Sequence, residues 1–270
     1  MSIKKHLSVN LTEPVIMLTS GIVYKQYTNW CGFGQRQLEI SLLRPKSRDK
    51  RPLIVFFCGG AFTEIDQDIW IPELVYFAKN GYAVASVEYS VTANTVFPGQ
   101  LEEAKAAIRF LRANADSLNI DAERIVVMGE SAGAYISELV AVTGEHREYD
   151  IGENLCYSSA VNGAVALYFG ELFPQFPARP GVAEETYKRM KFPMVKEFVR
   201  ESLPPFLLLH GTDDQRVYIE RSDYLYEQLQ EKNVPVKYYI LDGAFHSSEH
   251  FSQPEVKKII LDFFDSILKK

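Results

Sequence analysis

Apolar and polar positions change rhythm near residue 50. Before it, residues 20–30 and 37–44 alternate and carry β-branched or aromatic side chains, as strands with one solvated face do. Cys31-Gly32-Phe33-Gly34 between them reads as a turn. After Pro52 the alternation gives way to a continuous apolar run, Leu53-Ile54-Val55-Phe56-Phe57, typical of a strand buried on both faces. Similar buried strands are predicted at Tyr82–Val87, Arg124–Met128, Gly163–Leu167, Phe206–Leu209 and Val236–Leu241.

Helical patterns fill the intervals. One runs from about Ile69 to Lys79 and stops at Asn80-Gly81. A second, from about Gly99 to Leu118, places apolar residues at 101, 104, 107, 108 and 111, the spacing of a buried helix face. Others follow Ser131, cover about 219–232, and close the chain at 254–268. Strands alternating with helices predict an α/β fold with a mostly parallel sheet covered on both sides, and the two opening strands add an antiparallel edge. The rhythm breaks from about 168 to 203, where Phe173-Pro174-Gln175-Phe176-Pro177 precedes a basic helix-like stretch. A long insertion of this kind predicts a lid or substrate wall on a single domain covering 1–270.

Composition changes this picture little. A hydrophobic fraction of 47% and a charged fraction of 24% over 270 residues are those of a globular domain large enough to hold its core without metal or disulfide. The net charge of −6 and the lack of a basic run argue against nucleic acid as a partner. Three cysteines, Cys31, Cys58 and Cys156, form no CxxC pair, and reduced thiols fit a cytoplasmic protein. Val15–Leu18 is too short for a signal core, and no stretch approaches the ~20 apolar residues of a membrane span.

The chemistry lies at the carboxyl ends of the predicted strands. Gly129-Glu130-Ser131-Ala132-Gly133 is a G-x-S-x-G between a buried strand and a helix. A sharp turn there pushes the Ser131 hydroxyl above the sheet, and the helix directs its free N–H groups at the same spot. The alternative is a glycine-bounded turn with Ser131 as helix cap. In this arrangement the order along the chain is serine, acid, histidine. Of five histidines, His6 and His146 are misplaced, and His210, ending a strand before Gly211, reads as a turn-positioning residue. His246 leaves the last strand's carboxyl end and is favoured as base over His250, which sits nearer the terminal helix. Asp213 and Asp214 both follow a strand end where a carboxylate accepts the imidazole proton, and residue counting does not choose between them. Asp150 and Asp223 read as surface charges. Cys58-Gly59-Gly60-Ala61-Phe62, after the first buried strand, lets backbone N–H groups turn inward and, with the Ala132 N–H, hold an oxyanion. Cys58 itself, at the end of a buried strand, reads as an inert small hydrophobe. Asp66, Asp68 and Trp70 line the pocket or start a helix.

On these residues the chain resembles the α/β-hydrolase superfamily. Within it, the likeness is to the esterase/lipase group related to hormone-sensitive lipase and to small feruloyl-esterase-like enzymes. The similarity runs from about Leu53 to the end, the 168–203 insertion excepted, and is most specific at Gly129–Gly133, Gly81–Tyr89, Phe97-Pro98 and His210–Val217. The resemblance implies an α/β-hydrolase fold, selects Asp214 as the acid, and places the oxyanion donors at Gly60, Ala61 and Ala132. It implies a serine carboxylesterase acting on small acyl esters with no cofactor or metal. Amide-cleaving relatives and non-catalytic binding proteins share the same core. The chain departs from the pattern at Cys58, where the family usually has histidine, and at Phe245, where a small residue usually precedes the last histidine.

Overall fold

The computed structural model describes residues 3–28, 32–171 and 192–269. Among these residues eight strands form one sheet in the order β1-β2-β4-β3-β5-β6-β7-β8. They are β1 (Ile16–Thr28), β2 (Gln35–Pro45), β3 (Arg51–Phe57), β4 (Ala83–Val87), β5 (Ile120–Glu130), β6 (Ala164–Leu167), β7 (Phe206–Gly211) and β8 (Val236–Leu241). The β1–β2 and β2–β4 pairs are antiparallel and all the others are parallel. Connecting helices are α1 (Ile71–Lys79), α2 (Gly99–Ala113), α3 (Ala115–Leu118), α4 (Ala132–Val142), α5 (Glu220–Glu231) and α6 (Pro254–Leu268). This is the α/β-hydrolase architecture.

The period of two along a strand sorts the apolar run after Pro52 into two cores. Leu53, Val55 and Phe57 face α2, α4 and α5, whereas Ile54, Phe56 and Cys58 face α1 and α6. Both sets are buried, which explains why β3 shows no hydrophobic alternation. β3 pairs with β4 on one side and β5 on the other, so the chain reverses its direction of sheet growth here. Phe57 lies opposite Gly129. The loop after β3 and the turn after β5 therefore emerge side by side at the carboxyl edge, where open α/β sheets bind ligands. Glu130–Leu167, Leu167–Leu209 and Gly211–Leu241 pairings bring the loops after β5, β6, β7 and β8 to the same edge.

Two expectations need correction. β8 is not a strand buried on both faces but the sheet's edge, with Lys237, Tyr239 and Ile240 exposed. Its apolar composition matches that of an interior strand, so its place at the edge comes from topology. Asp150 is no surface charge. Its side chain is 2% exposed and meets Arg109 Nη1 at 2.9 Å, Arg147 Nε at 3.2 Å and Lys105 Nζ at 3.3 Å. Ser159 Oγ donates to it at 2.8 Å. The cations come from α2 and from the loop after α4, and a local reading of that loop carries no trace of them. Of the predicted lid, residues 172–191, including the aromatic wall at 173–177, lie outside the described residues. Phe192, just beyond them, packs on Phe62 and Tyr135 with ring centroids 4.5 and 5.5 Å apart.

Removing the Asp150 carboxylate leaves two fully buried cations without their counter-charge. Asp150→Ala is expected to lower the unfolding free energy by about 3–5 kcal/mol, read from urea denaturation. A loss below about 1 kcal/mol, the value of an exposed pair, would contradict the buried placement.

Candidate active site

Ser131 sits between β5 and α4 with φ 51° and ψ −124°. A side chain in this left-handed region is strained by about 1–3 kcal/mol, and the surrounding packing must impose it. The flanking glycines show how. A Cβ on Gly129 would run into the Gly133 carbonyl, and one on Gly133 would run into the carbonyls of Phe57 and Cys58. The helix start thus packs directly on the backbone of β3. The Ser131 N–H donates to the Leu167 carbonyl at 3.0 Å, pinning the turn to β6.

His246 Nε2 lies 2.9 Å from Ser131 Oγ, and His246 Nδ1 lies 2.7 Å from Asp214 Oδ2. Hydroxyl, imidazole and carboxylate therefore form one hydrogen-bonded line. Two loops are laced together to make it. Asp213 N–H donates to the Ala244 carbonyl at 3.0 Å, and Gly243 N–H donates to Thr212 Oγ1 at 2.8 Å. A Cβ on Gly211 would strike the Ala244 carbonyl, so glycine after His210 permits the contact. Asp214 Oδ1 accepts the N–H groups of Arg216 and Val217, each at 2.9 Å. Burial alone would raise this carboxyl. Hydrogen bonds from His210, His246 and the Val217 N–H outweigh it and hold the group well below the usual carboxylate range. Asp213 is exposed and takes the hydroxyl of Thr212, and His250 pairs with Ser248 instead.

The loop after β3 turns sharply, with φ 134° at Gly60, 53° at Ala61 and 61° at Phe62. The Gly60 carbonyl accepts Thr63 N–H at 3.0 Å and Glu64 N–H at 3.2 Å, which curls the loop back on itself. Neither the Gly60 nor the Ala61 N–H donates to a main-chain carbonyl among the described residues. Ala132 opens α4, where N–H groups have no partner within the helix. These three positions therefore offer free donors beside Ser131.

Sequence reasoning missed two supports of this site, Glu130 and Tyr168, and part of the role of a third, His210. Glu130, inside the G-x-S-x-G, accepts the Gly59 N–H and the Trp70 indole N–H, the latter at 3.1 Å. A Cβ on Gly59 would meet the Glu130 carboxylate, so glycine there admits it. Burial pushes the Glu130 carboxyl upward, against hydrogen bonds from Gly59, Tyr168 and Trp70. The Tyr168 ring stands edge-on to His246 with centroids 4.9 Å apart. His210 is fully buried and its Nε2 meets the Val217 carbonyl at 2.8 Å, bracing the turn that carries Asp214. Its reading as a turn-positioning residue agrees with this geometry, whereas its contact with Asp214 had no local trace. Cys58 is buried, its carbonyl takes the Tyr89 hydroxyl at 2.7 Å, and burial, then Glu130, pushes its thiol up to about 12. Such a thiol is a poor nucleophile.

A cavity of about 470 Å³ opens over Ser131 and His246. Gly60 and Ala61 line it, as do Glu64, Asp66, Trp70 and Arg216, so Asp66 and Trp70 are wall residues. Asp66 also accepts the Asp68 N–H at 3.0 Å in the turn before α1, which begins at Ile71 with no side-chain cap, so neither aspartate caps the helix. Among the described residues no group of three His, Cys, Asp or Glu side chains is arranged to hold a metal ion.

Comparison with known proteins adds independent information. The family model BD-FAE matches residues 38–170. A probable isoprenylcysteine alpha-carbonyl methylesterase of Arabidopsis thaliana is 26% identical over 260 residues, covering 87% of this chain and 53% of its own. Esterase LipC of Mycobacterium tuberculosis is 27% identical over 213 residues, covering 72% and 52%. The chain thus spans about half the length of these relatives. Among solved structures, a thermophilic esterase from Thermogutta terrifontis superposes with a TM-score of 0.77 at 22% identity, covering 92% of both chains. The same enzyme phosphoramylated by tabun gives 0.78, also at 22% identity, over 93% of this chain and 94% of that one. Fold, motif order and relatives agree in likening the chain to the esterase/lipase group of the α/β-hydrolase superfamily.

Proposed function

We propose that this protein is a serine carboxylesterase that hydrolyses small acyl esters through an acyl-enzyme. The observation that carries the reading is the continuous hydrogen-bonded line Ser131–His246–Asp214 beside unpaired N–H donors. In this mechanism His246 Nε2 takes the Ser131 proton as the hydroxyl oxygen attacks the ester carbonyl. Asp214 holds the Nδ1–H tautomer and stabilises the imidazolium that forms. The tetrahedral oxyanion is met by the N–H groups of Gly60, Ala61 and Ala132. His246 then hands its proton to the departing alcohol, and water, activated by the same imidazole, hydrolyses the acyl-enzyme. None of these steps calls on a metal or organic cofactor.

Glu130 supplies what the resemblance leaves open at Cys58. Where relatives use a histidine to brace the oxyanion loop, this chain grips it from across the sheet through the Gly59 N–H. The reading also takes the chain as one domain with a cap insertion at about 168–203, acting on a small ester rather than a nucleic acid. Among the described residues no helix is long and apolar enough to cross a membrane. Cys58 and Cys156 are unpaired thiols, which supports a cytoplasmic home.

Purified protein is expected to release p-nitrophenol from the acetate or butyrate ester, and Ser131→Ala to lower kcat by roughly 10⁴–10⁶-fold. Turnover persisting in that variant would remove Ser131 from its role, and faster turnover of the matching anilide would favour an amidase. Glu130→Ala is expected to lower kcat by about 10²–10³-fold, the effect of losing one oxyanion donor, with a smaller change in KM. A kcat within threefold of wild type would show that the loop holds itself.

A further inference from the structure

A second cavity lies behind the active site. It holds about 50 Å³ on the α1 and α6 side of the sheet, between Phe56, Met128 and Leu167 from the strands, Leu74 and Phe77 from α1, and Ile260 from α6. Walls of this kind favour hydrocarbon over water. Its polar lining includes the Glu73–Lys257 ion pair, whose side chains are partly exposed and so mark the solvent side. Among the described residues it shares two walls with the cavity over Ser131, namely Glu130 and Trp70. Glu130 directly precedes the nucleophile, so the chamber begins one residue from the reacting hydroxyl.

The side chains between the chamber and the catalytic residues differ in how firmly they are held. Glu130 is committed to the Gly59 N–H of the oxyanion loop. Tyr168, which also lines the chamber, is buried between His246 and Phe251, with ring centroids 4.9 and 4.5 Å away. Trp70 stands just before α1 and is only half-buried, and its indole N–H donates to Glu130 at 3.1 Å. From this we propose that Trp70 is a specificity-determining residue, whose indole closes the apolar chamber to the acyl chain and limits the enzyme to short acyl groups. This assignment rests on the esterase reading and deepens it.

The acyl side follows from the chemistry of the leaving group. His246 returns its proton to the departing alcohol, so the alcohol must face the part of the cavity lined by His246, Ser247 and Arg216. The acyl chain is left with the wall built from residues 59–70, which ends at Trp70. Roughly 10–15 Å³ of such space takes one water-sized group, so the chamber has room for about three to five methylene-sized groups. Each methylene moved out of water is worth about fourfold in binding. An opened chamber therefore favours octanoate over butyrate, whereas a closed one leaves the extra carbons in solvent.

The test compares kcat/KM for p-nitrophenyl butyrate and octanoate. Wild-type protein is expected to prefer butyrate. In Trp70→Ala the octanoate-to-butyrate ratio is expected to rise by about tenfold or more. Adding Leu74→Phe to that variant refills the chamber and is expected to bring the ratio back to within about threefold of wild type, with Ile260→Phe in its place if the first fails to fold. Trp70→Phe loses the indole N–H but keeps a ring in the wall. Its weaker grip on Glu130 is expected to lower kcat at both chain lengths, with the ratio held within about threefold. An unmoved ratio in folded Trp70→Ala, an equal rise in Trp70→Phe, or a wild type that already prefers octanoate would overturn the proposal. So would a shift confined to alkyl acetates of lengthening alcohol. Crystals pressurised with xenon read the chamber without any substrate. Xenon is expected between Phe56, Leu74 and Ile260, and its absence there would overturn the chamber itself. Xenon bound in a protein that hydrolyses no ester would place the failure in the esterase reading and not in the chamber.

Discussion

The site depends on one buried carboxylate. Asp214 is 5% exposed, and each of its oxygens is committed, one to two backbone N–H groups and the other to two imidazoles. A charge in that position is costly unless every lone pair is occupied, so the carboxylate dictates its surroundings. It demands that the loops after β7 and β8 lie against each other, that Gly211 have no side chain, and that His246 point one nitrogen inward. Once that nitrogen is fixed, the other can only face Ser131. The orientation of the imidazole is thus a consequence of satisfying the carboxylate.

A second constraint acts from the opposite side. The start of α4 packs against the carbonyls of Phe57 and Cys58 so closely that Gly133 cannot carry a Cβ. The parallel pairing of β3 with β5 sets this contact and places the oxyanion loop beside the serine. Glu130 ties the same two strands' ends together through Gly59 and reaches Trp70 in the cavity wall. Backbone strain at Ser131, Ala61 and Phe62 gathers where two strands and a helix hold the chain. That is the usual setting for a preorganised site, because the strain persists only where packing over-determines it.

Local features carried the fold and the site's chemical identity into the sequence. The uninterrupted apolar runs of β3 to β7 are legible because both faces of a covered parallel strand are dry, and the period of α2 is legible because one face is. The G-x-S-x-G and the residues after β7 and β8 are legible because each sits at a strand's carboxyl end. What escaped was set by distance along the chain. β8 has the composition of an interior strand and an edge strand's exposure. Asp150 sits in a polar loop yet meets cations from a helix forty residues earlier. Glu130 and His210 stand in plain view within motifs, but their partners Trp70, Gly59 and Ser222 become neighbours only in the folded sheet. Choosing Asp214 over Asp213 needed the family resemblance, since adjacent residues differ in direction and not in spacing.

The account's central claim is that His246, oriented by Asp214, makes Ser131 the single activated nucleophile. Peptide mapping by mass spectrometry after brief treatment with a fluorophosphonate tests this without reference to any substrate. One adduct, on the peptide carrying Ser131, is expected in the wild-type protein, with labelling slowed by orders of magnitude in His246→Ala. An adduct on another residue, or equal labelling rates in the two proteins, would contradict it.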